Sequence, residues 1–241
     1  SRRFDLVIDL QVYFKASVVT ALAKAPLKLG FDRRRARDMN WLVTNRRIPA
    51  HPPQHVQDQY FEFLDYLGVP SEPVEWKLGP WPHEREGQRE LLQGYDRPLA
   101  CLAIGSSEAS REWAAVHWAA LSDALYRDFG MQAVLIGGRS EREVAAEHLI
   151  REASREPLES TLGSSLREMV WLIDGAGLVV SLNSAPLHIA VALGRPVLVG
   201  PLTYLLLAKP AEGAPDGFRP LDLLDGLVDV YAEVLGRVGG A

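Results

Sequence analysis

Short, unbroken apolar runs that alternate with helical segments are the feature that most constrains the fold of this chain. The runs occupy residues 6–10, 99–104, 133–136, 178–182 and 196–200. Because they are continuous, they are typical of strands buried on both faces of a parallel sheet. Segments with helical spacing separate the later runs, at residues 113–127, 141–152 and 166–176. This rhythm predicts a parallel sheet with crossover helices over residues 99–200, a Rossmann-like α/β unit.

The segments before residue 99 predict a second, smaller domain. Residues 71–98 are rich in proline, glycine and charge, as linkers often are. The front half shows one clear strand, too few for a sheet, so we expect either that residues are missing before Ser1 or that this half is reduced. We predict a partial domain over 1–78, a linker over 79–98, a Rossmann-like domain over 99–215 and a helix over 216–241 that packs back across the domain boundary.

Composition excludes several classes of protein. No apolar stretch reaches the ~20 residues that a membrane-spanning helix needs, and the first residues lack the apolar core of a signal peptide. Cys101 is the single cysteine, which rules out an internal disulfide and a cysteine-based zinc site. The six histidines show no zinc-like spacing, and no P-loop, dinucleotide or nucleophile-elbow motif occurs. We expect a cytoplasmic protein that uses neither a metal nor a cofactor.

The charge is unevenly distributed along the chain. Residues 1–60 hold 11 Lys and Arg against 5 Asp and Glu, although the whole chain has a net charge of -5. The basic excess peaks at Arg33-Arg34-Arg35-Ala36-Arg37. Such a run is either a solvated face or a surface that attracts phosphate-rich substrates or an anionic membrane. No stacking aromatic residues are interleaved with it, so nucleic acid is not an expected partner.

Four predicted strand ends are followed by short loops rich in glycine and hydroxyl groups. In a parallel sheet, ligands bind beyond the carboxyl ends of the strands. The loops contain Gly105-Ser106-Ser107, Gly137-Gly138-Arg139-Ser140-Glu141, Leu162-Gly163-Ser164-Ser165 and Asn183-Ser184-Ala185-Pro186. Their amides and hydroxyls suit phosphate and ribose, and Arg111 is a cation that can neutralise a diphosphate.

The last of these loops admits two interpretations. Asn183 or Ser184 can cap the free amides of a helix that begins with Pro186, which is a purely structural role. Alternatively, the same amides and the positive end of the helix dipole face a phosphate.

These motifs, in this order, resemble those of glycosyltransferase family 9, the ADP-heptose:lipopolysaccharide heptosyltransferases. The rear half matches in the four loops above and in Ser110-Arg111-Glu112-Trp113, His188 and Gly200-Pro201. The front half matches in Phe4-Asp5-Leu6-Val7-Ile8-Asp9-Leu10-Gln11, Lys15, Gly30-Phe31-Asp32, Asn45-Arg46-Arg47, His55 before Tyr60, and Leu67-Gly68-Val69-Pro70.

The resemblance implies a GT-B fold of two Rossmann-like domains, an ADP-sugar donor in the rear domain and an anionic, lipid-linked saccharide acceptor at the front domain. The implied donor contacts are Ser106, Ser107 and Arg111 for the diphosphate, Glu141 for the ribose, Ser164 for the adenine side, and Asn183, Ser184, Ala185 and His188 for the heptose and diphosphate. Arg111 would also stabilise the leaving group.

The chain departs from the family pattern at several positions. Asn183 replaces an aspartate, Ala185 a glycine and Arg111 a lysine, and the front motif that carries the expected general-base aspartate does not occur. Asp9 is a nearby acid, but we expect it to end a strand rather than act as the base. Two hypotheses follow: a metal-independent, inverting glycosyltransferase, with peripheral contact to the inner membrane face, or a degenerate relative that serves as a nucleotide-binding or scaffold subunit.

Overall fold

The computed structural model describes residues 3–109 and 112–199. Contacts divide the chain into two compact units, Ser1–Glu75 and Trp76–Ala241, here called the front unit and the rear unit. Three sequence predictions lie outside the described residues: Arg111 as a phosphate ligand, the Gly200-Pro201 motif and the helix over 216–241.

The front unit is built around a three-stranded parallel sheet. Its strands are β1 (Leu6–Ile8), β2 (Leu27–Gly30) and β3 (Arg46–Arg47), in the order β1-β2-β3, and its helices are α1 (Phe14–Leu22) and α2 (Val56–Leu67). Leu6 pairs with Leu27, and Leu29 with Arg46. The prediction of one clear strand is therefore corrected. β2 and β3 escape the apolar-run criterion because they are short and carry Lys28, Arg46 and Arg47.

A small apolar core holds the front unit together. Leu29, Phe31, Ile48 and Phe63 are buried, and the rings of Phe31 and Phe63 meet edge to face with centroids 4.8 Å apart. Helix α2 brings Phe63 to this core and ends at Gly68, whose φ of 70° is readily adopted only by glycine.

The rear unit contains a five-stranded parallel sheet. The apolar runs at residues 99–104, 133–136, 178–182 and 196–200 predict four of its strands, and the structure adds a fifth strand over Leu158–Ser160, which contains Glu159 and is not an apolar run. Its strands are β4 (Leu99–Ala103), β5 (Gln132–Ile136), β6 (Leu158–Ser160), β7 (Leu178–Ser181) and β8 (Val197–Val199), in the order β6-β5-β4-β7-β8. Its helices are α3 (Arg85–Leu92), α4 (Ala115–Asp128), α5 (Glu141–Ala153), α6 (Leu166–Gly175) and α7 (Ala185–Ala192). Cys101 lies in the central strand and is fully buried, and its burial raises the pKa of the thiol to about 12.

Helices cover both faces of this sheet. Trp118 and Leu125 of α4 and Ile150 of α5 pack on one face, together with alternate strand residues such as Leu102 and Leu135. Leu172 of α6 and Ala190 of α7 pack on the opposite face against the other strand residues, including Cys101. This two-sided burial explains why the strands read as continuous apolar runs.

Residues 79–98, which we predicted to be a linker, belong to the rear unit. They include a short 3-10 helix, Pro82–Glu84, and α3. Arg167 at the start of α6 donates to the Glu84 carboxylate and to the Leu78 carbonyl, and its guanidinium lies 4.1 Å from the centre of the Trp81 ring. Gln88 donates to Asp174 at 2.8 Å. These partners lie more than 80 residues away in sequence, so local composition does not reveal them.

Candidate functional site

The carboxyl edge of the rear sheet has the geometry of a ligand site. The chain runs from β4 outward to β6 and then crosses to β7 on the other side of β4, so the winding direction reverses between β4 and β7. Ala103 is in register with both Ile136 and Ser181, so these strands end at one level. A crevice outside such a switch point is where open parallel sheets bind ligands.

The loop after β4 lies at the centre of this edge. It carries Ser106, which is half-buried, and Ser107, which is exposed. The Ser106 hydroxyl accepts a hydrogen bond from the Glu108 amide at 3.2 Å, which tightens the turn. The loop therefore presents two hydroxyl groups beside the switch point; that they bind a diphosphate remains a prediction of the resemblance.

The loop after β5 leads directly into α5. Glu141 is the first residue of this helix, and its side chain is exposed and makes no hydrogen bond within the residues that the structure describes. Its carboxylate thus stands at the sheet edge, one strand from Ser106, where the resemblance places a ribose contact.

Two neighbours of Glu141, which the sequence did not single out, organise the loops. The Glu143 carboxylate accepts hydrogen bonds from the amides of Gly138 and Ser140, at 2.8 and 2.9 Å, and from the Ser140 hydroxyl at 2.7 Å. Burial by itself raises the pKa of Glu143, but these bonds outweigh it and hold the pKa below its ordinary value. Arg142 donates to the Ser106 carbonyl at 3.1 Å. The Ser140-x-x-Glu143 capping box was a readable signal for Glu143.

The start of α7 lies on the other side of β4. Ser184 is the N-cap residue, but its side chain caps none of the first helical amides; its hydroxyl instead lies 3.3 Å from that of Ser181. Asn183, Ala185 and His188 are exposed around this helix start. The purely structural interpretation, in which Ser184 caps the helix, is thus corrected, because the Leu182 carbonyl and the Ser181 hydroxyl hold its side chain.

Ser164 lies farther along the same edge, in the loop after β6. Its amide donates to the Thr161 carbonyl at 3.0 Å, and the residue is half-buried. Strand β6 is two positions from β4, or roughly 10 Å at the usual strand spacing. That is an appropriate distance between the adenine end and the phosphate end of a nucleotide.

The described site residues therefore share one edge of one sheet. From β6 to β7, the order along this edge is Ser164, Glu141, Ser106 with Ser107, and then Asn183, Ser184, Ala185 and His188. Among the described residues no group of three or more His, Cys, Asp or Glu is placed to hold a metal ion. No helix in the described ranges is long and apolar enough to cross a membrane.

Asp9 of the front unit sits at the end of β1 in a closed hydrogen-bond network. The carboxylate is 4% exposed and accepts from the Thr20 hydroxyl at 2.7 Å, the Asn40 amide group at 2.9 Å and the Gln11 backbone amide at 3.1 Å. A carboxylate with its acceptor sites occupied by neutral donors holds a turn together and is poorly placed to take a proton from a substrate.

The basic run of the front unit divides into two kinds of arginine. Arg35 is bound by Glu62 through two hydrogen bonds of 2.8 and 2.7 Å and also donates to Asp32. Arg34 and Arg37 are exposed and line an open cavity of about 490 Å³. Tyr13, Gln59 and Tyr60 also line it, so the cavity combines positive charge with hydrogen-bonding and stacking surfaces.

A comparison with protein families decides the relationship. The model for glycosyltransferase family 9 (heptosyltransferase) matches residues 1–199. The chain belongs to glycosyltransferase family 9. The family resemblance of the motifs is thus confirmed, over both units.

Two heptosyltransferases match most of the chain. The lipopolysaccharide core heptosyltransferase OpsX of Haemophilus influenzae is 27% identical over 97% of this chain, and the lipopolysaccharide heptosyltransferase 3 of Escherichia coli is 22% identical over 82%. The chain spans 64% and 59% of the length of these two relatives.

Solved structures support the fold. The E. coli heptosyltransferase WaaC with ADP-2-deoxy-2-fluoro heptose superposes with a TM-score of 0.66, at 22% identity, over 95% of this chain and 73% of that one. The E. coli ADP-heptose lps heptosyltransferase II gives a TM-score of 0.65, at 21% identity, over 95% and 77%. The predicted fold class is therefore confirmed: a GT-B-like chain of two α/β units with parallel sheets.

A separate and much shorter match involves another enzyme. The 5-methyltetrahydropteroyltriglutamate–homocysteine methyltransferase of Streptomyces coelicolor is 76% identical over 57 residues, which are 22% of this chain and 7% of that one. So small a part of that enzyme carries none of its activity over to this chain.

Proposed function

We propose that the chain acts in metal-independent, inverting glycosyl transfer, moving a heptose from ADP-heptose to the core of a lipopolysaccharide acceptor. The observation that carries this proposal is the arrangement at the rear sheet edge. Two hydroxyl-bearing loops and an uncapped helix start meet at the switch point of a sheet in a family 9 chain. WaaC, whose structure includes ADP-2-deoxy-2-fluoro heptose, supports a nucleotide-sugar donor.

The donor side follows from the chemistry of these groups. Ser106, Ser107 and the first amides of α7 would bind the diphosphate, Glu141 the ribose and Ser164 the adenine side. As the acceptor hydroxyl gives its proton to a base and attacks the anomeric carbon, the bond to the ADP oxygen breaks and negative charge grows on the diphosphate. Arg111 and the positive end of α7 would stabilise that charge, the role that a metal ion serves in other transferases.

The acceptor side is assigned to the front unit. Arg34 and Arg37 at the open cavity would attract the anionic saccharide, and the adjacent tyrosines can contact sugar rings. The same charges would favour peripheral contact with an anionic inner membrane face.

A binding assay followed by a transfer assay tests the proposal. ADP binding is measured by calorimetry, and heptose transfer from ADP-heptose is then measured with a lipopolysaccharide core acceptor, with and without a chelator. We expect ADP binding, and transfer that the chelator leaves unchanged. ADP binding without transfer would support the alternative of a nucleotide-binding or scaffold subunit, which the closed Asp9 network favours. Absence of ADP binding would contradict both.

A matched pair of histidine substitutions localises the donor site. His188→Ala should weaken ADP-heptose binding by about tenfold, because one polar contact to a charged ligand contributes about 1.5 kcal/mol. His148→Ala is the control, since His148 is also exposed on a helix but faces Glu152 in α5. Equal effects of the two substitutions would contradict the assignment of His188.

A further inference from the structure

Arg142 and Glu143, in the first turn of α5, connect both central loops of the proposed donor site. Glu143 holds the loop after β5, because its two carboxylate oxygens accept hydrogen bonds from Gly138 and Ser140 of that loop. The three bonds leave this carboxylate largely committed to the loop. Glu141, by contrast, has its carboxylate exposed and unbonded within the described ranges.

The Glu143 carboxylate also fills the space between the ends of β4 and β5. A Cβ atom added at Gly105 would overlap with Glu143 Oε1, and one at Gly137 would lie 2.7 Å from the same atom. At Gly138 the added atom would lie 2.9 Å from Oε2. These glycines therefore let two strand ends close around one side chain, so the carboxylate fixes the spacing of both loops.

Arg142 holds the loop after β4 at two points. One guanidinium nitrogen donates to the Ser106 carbonyl at 3.1 Å, and the other lies 2.9 Å from the Glu112 carboxylate. Ser106 and Glu112 stand before and after the segment that contains Arg111. One side chain thus connects both ends of the loop that carries the proposed diphosphate ligands.

We propose that Arg142 and Glu143 are positioning residues, which pre-organise the two loops for the nucleotide without contacting it. Ordering a loop before binding removes an entropic cost from association, so the benefit appears as ligand affinity. Glu143 acts on the loop that leads to the ribose contact Glu141, whereas Arg142 acts on the diphosphate loop. This inference rests on the proposed function, since it assigns these loops to a nucleotide.

Calorimetric titration of the whole chain with ADP and with adenosine tests the proposal. Glu143→Gln should weaken both ligands by about tenfold, because both use the ribose loop. Arg142→Gln should weaken ADP by about tenfold and adenosine by less than about twofold, because adenosine has no diphosphate. A tenfold change corresponds to about 1.4 kcal/mol. Glu147→Gln is the matched control, since Glu147 pairs with Arg151 on the same helix and should leave both affinities unchanged.

The outcomes distinguish a failure of the positioning role from a failure of the proposed function. If the unsubstituted chain binds ADP and both variants bind it within about twofold as well, the positioning role is overturned while the proposed function stands. Equal losses of affinity for ADP and for adenosine in Arg142→Gln would also overturn it. Such losses would indicate a general structural defect rather than an effect on the diphosphate loop. Failure of the unsubstituted chain to bind ADP contradicts the proposed function and this inference together. Should Glu143→Gln not fold, Ser140→Ala removes one of its three bonds and should weaken both ligands by about threefold.

Discussion

Arg34 and Arg35 are neighbours in sequence but belong to different physical environments. The Arg35 guanidinium is held by Glu62 and Asp32 and lies 5.0 Å from the centre of the Phe31 ring, at the edge of the front core. The hydrogen bonds that Arg35 donates to Glu62 raise the pKa of Arg35. Those that Arg35 and the Arg34 amide donate to Asp32 lower the pKa of Asp32 despite its partial burial. Both arginines line the open cavity, but Arg34 is exposed and its side chain makes no hydrogen bond within the described residues.

Substitution of Arg35 should therefore affect stability, whereas substitution of Arg34 should affect acceptor binding. Arg35→Gln leaves two partly buried carboxylates without their counter-charge and should lower the free energy of unfolding of the front unit by about 2–3 kcal/mol. Arg34→Gln should leave stability unchanged and weaken acceptor binding. Urea unfolding monitored in the front unit checks this, and equal stability of the two variants would contradict it.

The ionisation of Glu84 predicts how the stability of the folded state changes with pH. The two hydrogen bonds from Arg167 lower the pKa of Glu84 from 4.5 to about 2. A carboxyl group with a lowered pKa stabilises the folded state above its unfolded pKa, and this contribution is lost as the pH falls through the folded pKa. The contribution should thus be complete above about pH 4.5 and decline toward pH 2.

Thermal melting of Glu84→Gln checks this sign. At pH 7 the variant should melt below the unsubstituted chain, and the difference in Tm should narrow between pH 4.5 and pH 2. A difference that stays constant across this range, or widens toward acid, would show that the ion pair with Arg167 does not anchor the segment around Glu84 to α6.

At the scale of elements, helix α7 begins without a side-chain cap at the edge where we propose that the diphosphate binds. Ser184 leaves the first amides of α7 without a side-chain acceptor. Such amides cost stability in the free protein and are available to an anionic ligand. The neighbouring helices α5 and α6 are instead closed by capping boxes, Ser140 with Glu143 and Ser165 with Glu168.

A side-chain cap on α7 should therefore raise the stability of the free protein and lower its affinity for ADP. Ser184→Asp places a carboxylate at the helix start, which should stabilise the free protein by about 0.3–1 kcal/mol and repel a diphosphate, weakening ADP by about tenfold or more. Ser184→Asn caps without the charge and should retain much more of the affinity. Melting curves and ADP titrations measure both effects; tighter ADP binding by Ser184→Asp would contradict a phosphate at this helix.

The elements that the sequence predicts correctly are those with strong local signals. Strands β4, β5, β7 and β8 are buried on both faces and read as apolar runs. Strand β6, which contains Glu159, and strands β2 and β3 carry charged residues and gave no such signal. The packing of residues 79–98 depends on Arg167 and Asp174, which are distant in sequence. Local composition cannot reveal such partners.

The positions of the loops that form the candidate site could be predicted from the sequence, but the side-chain contacts that hold these loops in place could not. Glycine and hydroxyl residues after apolar runs placed Ser106, Glu141 and Ser184 at one edge, because parallel strands end together. The roles of Arg142 and Glu143 depend on which atoms their side chains reach. Only the structure shows that Arg142 reaches the Ser106 carbonyl across 36 residues of sequence.

For the whole molecule, the two units have separate cores of unequal size. Among the described residues, four buried apolar side chains form the front core, whereas larger clusters pack on both faces of the rear sheet. Since hydrophobic stabilisation scales with the buried apolar area, we expect the front unit to open more readily than the rear unit. Binding of a nucleotide at the rear sheet edge should slow amide hydrogen exchange in the rear loops and leave exchange in the front strands unchanged.

Hydrogen exchange with and without ADP tests this central claim most directly. Saturating ADP should slow amide exchange in residues 105–109, 137–141 and 182–188, with smaller protection in 162–165 and no change in 27–48. Protection confined to other segments, or none in these loops at saturating ADP, would contradict a nucleotide site at the rear sheet edge.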